Sequence, residues 1–447
     1  MFIVRTWIKE PLAILSSEAS GGIVVEDGII AECLSVGASP AAPCEETFDA
    51  SRCVLLPGLV NTHHHFYQTL TRAYGPALDK ELFDWLKTLY PVWARLTPEY
   101  LHVATRLALA ELLLSGCTTA ADHHYVFPDG LDEVVDVQVD AARTMGVRVT
   151  LTRGSMNLSV EEGGLPPVSV VQDADTILAD SARVIDAFHD PSPGAMVQIA
   201  LAPCSPFSVT REIMIDTALL AAQRNIRLHT HLSETEDENA FCQEMFACRP
   251  LDYLEEVGWL TDRVWLAHGI HFDHSEIARL GAAGTGIAHC PGSNMLLASG
   301  MCPAIDLEAS GVPVGIGVDG SASEDASNLM QEVRQALQIQ RLRYGAAKVS
   351  HGDVLRWATS GSAICLGRDD IGRIEVGKQA DLSFFRLDEP RFSGAGDPLA
   401  ALVLCGAHRA DRVMVGGDWR VIDEKIVDFD LESLLDEHRA AALALTA

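Results

Sequence analysis

The sequence predicts an α/β fold: a (β/α)₈ barrel accompanied by a small β-sandwich built from both chain ends. Between residues 54 and 320, short apolar runs alternate with helix-length segments rich in Ala, Leu and Glu. These runs are apolar throughout, which is typical of parallel strands buried on both faces. Eight such runs, several of them ending in polar residues, favour a closed barrel over the alternative, a doubly wound open sheet.

The barrel is predicted to occupy residues 57–369. Its strand candidates, the first of which begins just before the barrel, are Val54–Asn61, Thr118–Asp122, Arg148–Leu151, Met196–Ala202, Ile226–His231, Val264–His268, Gly286–His289 and Val312–Asp319. Helices are predicted between them at Glu99–Leu114, Ala174–Phe188, Glu212–Arg224, Pro250–Gly258 and Ser275–Ala283.

Both chain ends contain short strand-like pieces separated by turn residues. The N-terminal pieces are Phe2–Trp7, Gly22–Val25 and Gly28–Leu34. After a predicted helix at Ser350–Leu366, the C-terminal pieces are Leu382–Phe385, Ala401–Val403, Arg412–Val415 and Trp419–Ile422. We expect residues 1–56 and 370–430 to pair as one small β-sandwich domain, followed by a helical tail at residues 431–447.

Composition excludes several classes of function. The 447 residues include 33 basic and 62 acidic side chains, a formal net charge of −29, which repels phosphate backbones and anionic membranes. We therefore expect no nucleic-acid partner. The sequence has no apolar run long enough to span a bilayer, and its first residues do not resemble a signal peptide. Eleven cysteines, an odd number without a CxxC pair, favour a reducing cytoplasmic location.

Histidines stand at the ends of two of the predicted strands. His63 and His65 are two residues apart, so on an extended chain they face the same side. His229 and His231 have the same spacing, and spacing alone leaves either of them as a metal ligand. Glu234 follows on the turn after that strand, where a carboxylate can reach over a metal and shuttle a proton.

Two further strand ends carry polar residues. His268 ends the run that begins at Val264, and Asp319 ends the run that begins at Val312. A carboxylate at the end of an apolar strand is costly unless it is paired or lies near a metal. Because the carboxyl ends of barrel strands meet at one face, these groups predict an open catalytic metal site.

Together these stretches resemble the amidohydrolase superfamily, and within it the branch of cytosine, guanine and S-adenosylhomocysteine deaminases and triazine hydrolases. The segments that carry the resemblance are Pro57–His65, His231–Glu234, His268, His289–Asn294, Val318–Gly320 and Gly372–Leu382. They span nearly the whole chain in the family's order. The resemblance implies a distorted (β/α)₈ barrel with a composite β-sandwich and a mononuclear metal site, because no lysine ends the fourth strand candidate.

By that resemblance, His63, His65, His231 and Asp319 bind one metal ion per subunit, Zn²⁺ or alternatively Fe²⁺. The ion lowers the pKa of a bound water so that hydroxide forms near neutral pH. Asp319 takes the proton of the attacking water, Glu234 protonates a ring nitrogen, and His268 stabilises the developing oxyanion. The expected enzyme is a deaminase of an amino-substituted heterocycle, a small-molecule substrate, and we expect a homo-oligomer.

Residues outside the predicted ligand set bear on the choice of substrate. The element Pro203–Phe207 lacks the arginine that guanine deaminases of this branch carry there, and it contains Cys204 instead. We expect Gln68, Arg153, Trp85 and Cys204 to contact the substrate. In Asn61–Arg72 and in Cys204–Pro206, the chain is similar to a subgroup of 8-oxoguanine deaminases and hydroxyatrazine ethylaminohydrolases. Of the two reactions, we expect the conversion of 8-oxoguanine to urate and ammonia.

Several alternatives remain. They are hydrolysis of a hydroxyatrazine-type triazine with release of an alkylamine, and deamination of another purine or a pterin. A non-enzymatic role is disfavoured because the ligand set is complete. An amide hydrolase of the hydantoinase type usually needs the bridging lysine that this chain lacks.

Overall fold

The computed structural model describes residues 4–447. The predicted strand Phe2–Trp7 therefore falls partly outside the described residues, and its described part belongs to the strand Arg5–Lys9. Among residues 4–447, no helix has both the length and the apolar character that crossing a membrane requires.

The strands are numbered in chain order: β1 (Arg5–Lys9), β2 (Ala13–Ile14), β3 (Gly22–Glu26), β4 (Ile29–Leu34), β5 (Glu46–Asp49), β6 (Cys53–Pro57), β7 (Leu59–Asn61), β8 (Cys117–His124), β9 (Arg148–Ser155), β10 (Val197–Pro203), β11 (Arg227–Leu232), β12 (Val264–His268), β13 (Gly286–His289), β14 (Val314–Ile316), β15 (Leu382–Arg386), β16 (Arg412–Val415), β17 (Asp418–Ile422) and β18 (Lys425–Ile426).

The helices are α1 (Leu82–Trp93), α2 (Pro98–Leu114), α3 (Val134–Met145), α4 (Ala174–Phe188), α5 (Arg211–Arg224), α6 (Glu236–Phe246), α7 (Pro250–Glu256), α8 (His274–Ala283), α9 (Pro291–Leu296), α10 (Ala304–Ala309), α11 (Leu329–Tyr344), α12 (His351–Arg356), α13 (Ser362–Cys365), α14 (Pro398–Leu404) and α15 (Leu431–Thr446). Short 3₁₀ turns lie at Phe66–Thr71, Gly75–Ala77, Val160–Glu162, Val168–Val170 and Pro390–Phe392, and a π-helical turn at Trp357–Gly361 joins α12 to α13.

Eight parallel strands close into a barrel in the order β10-β11-β12-β13-β14-β7-β8-β9. Helices connect successive strands on the outside, and the barrel strands are almost entirely buried. Burial on both faces explains why these strands are apolar without alternation. The predicted (β/α)₈ barrel is confirmed.

The first predicted barrel strand, Val54–Asn61, is wrong as a single element. β6 pairs antiparallel with β15 in a separate sheet, whereas β7 pairs with β8 and β14 in the barrel. The change of sheet occurs at Gly58, where a Cβ atom would lie 2.1 Å from the Thr118 hydroxyl. Only glycine permits so close an approach, so the chain crosses between the two sheets there.

Two other predicted strands differ from the structure. The predicted strand Ala401–Val403 is wrong because it lies inside the helix α14: the Asp397 side chain caps the helix by accepting from the Ala400 amide, and Pro398 occupies the first turn. The last barrel strand, predicted at Val312–Asp319, is only β14, Val314–Ile316. Asp319 has a left-handed backbone with φ 68°, which a regular strand does not allow.

The chain ends form two sheets, with strand orders β4-β3-β1-β5 and β18-β17-β16-β15-β6-β2. Side chains from both ends share one apolar core, including Ile8, Ile23, Leu55, Phe384 and Met414. We propose that these sheets form the predicted small domain. α15 packs on α2 and on the 3₁₀ turn Phe66–Thr71.

Candidate metal centre

Four barrel strands deliver titratable side chains to one buried cluster. His63 and His65 follow β7, His231 lies on β11, His268 ends β12, and Asp319 follows β14. The Asp319 Oδ1 atom lies 3.3 Å from His63 Nε2 and 3.2 Å from His65 Nε2. His65 Nε2 lies 3.2 Å from His231 Nε2. Carboxylate and imidazole groups from distant parts of the sequence thus meet as the sequence predicted.

Main-chain carbonyl groups orient two of these histidines. His65 Nδ1 lies 2.6 Å from the His123 carbonyl oxygen, and His231 Nδ1 lies 2.7 Å from that of Cys204. Because a carbonyl oxygen only accepts, each Nδ1 atom carries the hydrogen and donates it. The Nε2 atoms are then left with lone pairs directed at the centre of the cluster, which is the tautomer that binds a metal.

The structure separates the two histidines of β11. His231 Nε2 approaches His65, whereas His229 Nε2 lies 2.8 Å from the Nδ1 atom of His63. His229 therefore contacts the side of the His63 ring away from Asp319. Of these two residues, His231 is placed as a candidate ligand.

The electrostatics suit a cation. Burial lowers the pKa of His63 and of His231 well below the usual value, so both rings are neutral at pH 7. Burial alone would raise the pKa of the Asp319 carboxyl, but its interactions with the His63 and His65 rings and the charge of His268 lower it well below its usual range. Neutral imidazoles and an ionised carboxylate are the protonation states that bind a metal.

His268 and Glu234 form a second, coupled pair. His268 Nε2 lies 3.4 Å from Glu234 Oε2 and 3.9 Å from Asp319 Oδ2, while its Nδ1 lies 2.9 Å from Asn294 Oδ1. Burial raises the pKa of Glu234. Burial would lower the pKa of His268, but the charges of Glu234 and Asp319 outweigh it and raise it. The pair therefore keeps a proton to higher pH than an ordinary histidine does.

Glu238 holds the turn that carries Glu234. Its two carboxylate oxygens accept from the Ser233 amide at 2.9 Å and from the Glu234 amide at 3.1 Å. Ser233 has φ 54°, so these bonds stabilise a strained turn. Glu238 was not predicted from the sequence, where it stands among other acidic residues at the start of α6.

His123 is another residue that the sequence analysis missed. It lies on β8 beside the cluster, its ring stacks on that of His231 with centroids 4.7 Å apart, and its Nε2 lies 3.0 Å from the Ala202 carbonyl oxygen. The available signal was the run Asp122–His124, which also places titratable side chains at the end of a predicted strand.

A cavity opens from the cluster, and three of the four predicted substrate-contact residues line it: Gln68, Trp85 and Cys204. Within residues 4–447, neither amide atom of Gln68 has a hydrogen-bond partner. The Trp85 indole N–H donates to the Ala322 carbonyl oxygen at 3.0 Å, which leaves only the ring surface for a ligand. Burial raises the pKa of Cys204 to about 12, so its thiol is neutral.

The expectation for Arg153 is corrected, because its side chain does not line the cavity. Its guanidinium donates to Asp180 at 2.8 Å and to Gln172 at 2.8 Å, and it lies over the Phe127 ring at 4.1 Å. The predicted strand ended at Leu151, but β9 continues to Ser155, and its register turns Arg153 toward α4.

Further lining residues were not identified from the sequence. They are Leu82, Leu86, Tyr125, Phe207, Leu297 and Ser323. Apolar and aromatic walls with a few polar groups are typical of a small-molecule site. Their signal in the sequence is weak, because apolar residues of loops resemble those of the core.

Comparison with known proteins agrees with this geometry. A model of the Amidohydrolase family matches residues 54–420. The 8-oxoguanine deaminase of Pseudomonas aeruginosa is 63% identical over 446 residues, 99% of each chain. The hydroxydechloroatrazine ethylaminohydrolase of Pseudomonas sp. strain ADP is 41% identical over 377 residues, 81% of this chain and 77% of that one. The solved structure of an atrazine chlorohydrolase from Arthrobacter aurescens, complexed with zinc, has a TM-score of 0.91 at 32% identity and covers 99% of this chain and 100% of that chain.

Proposed function

This chain belongs to the amidohydrolase family and is a hydrolase of carbon–nitrogen bonds, and we propose that it converts 8-oxoguanine and water to urate and ammonia. The single observation that carries the substrate is the 63% identity to an 8-oxoguanine deaminase across 99% of both chains. The cavity supports it, because a buried amide and an aromatic side chain line it beside two carboxylates.

We propose that His63, His65, His231 and Asp319 hold one Zn²⁺ ion per subunit. The donor chemistry fits, because neutral imidazole nitrogens and one carboxylate are preferred zinc ligands, and Fe²⁺ would accept the same set. A divalent cation bound there would supply a nucleophile by lowering the pKa of water toward neutrality.

The chain's own residues then move the protons. Asp319, ionised at neutral pH, accepts the proton of the attacking water and passes it to the exocyclic amino group, which then leaves the ring carbon as ammonia. Glu234 keeps its proton to higher pH because it is buried, and it donates that proton to the ring nitrogen beside the carbon that carries the amino group. His268, which faces the ionised Asp319, would in its protonated form donate from Nε2 to the oxygen on which negative charge develops.

Gln68, Trp85 and Cys204 would orient the ring. The Gln68 amide offers one acceptor and two donors, which match a ring edge where an N–H group adjoins a carbonyl group. The face of Trp85 would lie on the heterocycle, and the neutral Cys204 thiol tolerates an uncharged ring.

A specific observation supports a second candidate, the hydrolysis of a hydroxylated triazine. The chain is 41% identical to a hydroxydechloroatrazine ethylaminohydrolase, although over less of its length than to the deaminase. The same carboxylates would then serve a leaving alkylamine instead of ammonia.

The decisive experiment is a comparison of substrates on the zinc-loaded protein. Urate absorbance and ammonia release are measured with 8-oxoguanine, hydroxyatrazine, guanine and a pterin, with the Glu234→Gln variant as the background control. We expect kcat/KM for 8-oxoguanine to exceed the others by at least about 100-fold, the discrimination expected when buried polar groups read a ring. Rapid loss of hydroxyatrazine together with no formation of urate from 8-oxoguanine would make the triazine the favoured substrate.

A further inference from the structure

We propose that His229 is a positioning residue, which fixes the orientation and tautomer of the metal ligand His63. His229 Nδ1 lies 2.7 Å from the Trp265 carbonyl oxygen, and because that oxygen only accepts, His229 Nδ1 donates. In the neutral ring His229 Nε2 then accepts. His63 Nδ1, 2.8 Å away, must be the donor, which leaves the Nε2 lone pair of His63 directed toward Asp319.

Trp265 contacts both His229 and the main chain next to His63. Its ring stacks on that of His229, with centroids 4.3 Å apart and planes inclined by 14°. Its indole N–H donates to the carbonyl oxygen of Thr62, the residue before His63, at 3.0 Å. His229 is 1% exposed, so water does not compete for its nitrogens. The position of His229 relative to His63 is thus set by packing and by hydrogen bonds together.

The arrangement differs from those at the other two histidine ligands. His65 and His231 are oriented by main-chain carbonyl groups, of His123 and Cys204, which no substitution removes. His63 is oriented by a side chain. Such outer partners of ligating histidines typically affect metal affinity about 10- to 100-fold. His229 is therefore the residue at which metal affinity can be altered without changing a ligand.

The test compares two substitutions of His229 whose amide side chains differ in length. In His229→Gln, the longer side chain places its amide near the former Nε2 position, where its oxygen can accept from His63. In His229→Asn, the amide stays near the former Nδ1 position, where it can bond the Trp265 carbonyl group but not reach His63. Both variants are polar and fill part of the same buried space, so they share the general cost of losing the ring.

The measurement is the dissociation constant of Zn²⁺, obtained by chelator competition on metal-free protein, together with the visible spectrum of the Co²⁺ form. We expect His229→Asn to bind Zn²⁺ about 10- to 100-fold more weakly than His229→Gln, with an altered Co²⁺ spectrum. The control is His289→Asn, which removes a buried histidine of β13 whose Nε2 contacts Gln340, outside the cluster. We expect this control to bind Zn²⁺ like the wild type.

The outcomes separate this inference from the proposed function on which it rests. Equal affinities of the Asn and Gln variants would overturn the positioning role while leaving the metal site intact. An equal loss in His289→Asn would overturn it too, because the effect would then be a general one of core disruption. If the wild type binds neither ion, the proposed metal site fails and this inference fails with it. No substrate is used, so a wrong substrate does not affect the result.

Discussion

Replacing Gln68 by Met should separate substrate recognition from stability. Gln68 is fully buried in the 3₁₀ turn after His65, and neither its Oε1 nor its Nε2 atom bonds to another group of residues 4–447. The Gln68 amide packs closely against Gly320. A Cβ atom on residue 320 would lie 1.9 Å from Gln68 Oε1, so the glycine is what leaves room for the amide. Methionine has a similar length and shape and keeps the packing.

The magnitude follows from the bonds lost. With two hydrogen bonds to the substrate removed and their partners on the ring left unpaired, the transition state should lose about 2–4 kcal/mol. This corresponds to a decrease in kcat/KM of about 30- to 1,000-fold. Because no hydrogen bond within the described chain is broken, the free energy of unfolding should change by less than about 1.5 kcal/mol.

The assay combines steady-state kinetics of urate formation with urea unfolding of the same zinc-loaded samples. Gln340→Met is the matched control, because Gln340 is equally buried but donates to the Cys302 carbonyl oxygen at 2.9 Å. The control should lose about 1–3 kcal/mol of stability and keep its kcat/KM. If Gln68→Met retains kcat/KM within about threefold of the wild type, Gln68 does not read the substrate and the reasoning is refuted.

Three further results are expected. Glu234→Gln should lower kcat by about 10²- to 10⁴-fold while Zn²⁺ affinity is kept. Since Glu234 acts in its protonated form, wild-type kcat should fall as pH rises through its raised pKa, and persistence of that alkaline decrease in the variant would contradict the assignment. Asp381→Asn leaves the Arg148 guanidinium, which it meets at 2.7 Å, buried without a counter-charge, so urea unfolding should show a loss of about 3–5 kcal/mol; a loss below about 1 kcal/mol would contradict this. Burial lowers the pKa of His438 to about 4, so between pH 6.5 and 4 the unfolded state binds more protons than the folded state, and the free energy of unfolding falls as pH drops. His438→Gln should remove about 3 kcal/mol of that decrease. If the pH dependence of the unfolding free energy is the same in the variant, His438 does not cause the decrease.

The barrel was predictable because its strands are buried on both faces. The predicted bounds of β12 and β13 agree with the structure at both ends, since each is an apolar run that ends in a histidine. β9 was predicted too short. Three of its last four residues, Thr152, Arg153 and Ser155, are polar but buried, and their burial depends on neighbours that are distant in the sequence.

The sequence indicated which strand ends carry the candidate ligands, but not which of two histidines on β11 reaches the cluster. His229 and His231 share one face of β11, and a strand rises about 3.3 Å per residue, so they lie about 7 Å apart along the strand. Which of them reaches the cluster depends on how the barrel closes, which sequence spacing does not contain. The same reasoning explains Arg153, whose direction follows from the register of β9 with β8 and β10.

Other expectations stay predictions. These are the single Zn²⁺ ion per subunit, the homo-oligomer, the cytoplasmic location and the small β-sandwich domain. One contact bears on how the small domain meets the barrel. Arg148 at the start of β9 donates to Asp381 next to β15, so this hydrogen bond connects the barrel to the sheets of the chain ends.

Two residues of the site, at the ends of barrel strands, have a strained backbone. His268 and Asp319 both have left-handed backbones, with φ 69° and 68°, and each such residue costs about 1–3 kcal/mol. At Asp319, hydrogen bonds to the segment Asn61–His63 offset this cost: the Asp319 amide donates to the His63 carbonyl oxygen at 3.0 Å, and the Val318 amide donates to Asn61 Oδ1 at 2.9 Å. The strained conformation lifts Asp319 out of the strand direction and toward His63 and His65. The segment from Asn61 at the end of β7 to His65 supplies both acceptors and the first two histidines. The candidate ligand Asp319 is therefore positioned by the same segment that carries its partners, and two short segments far apart in the sequence suffice to specify this half of the site.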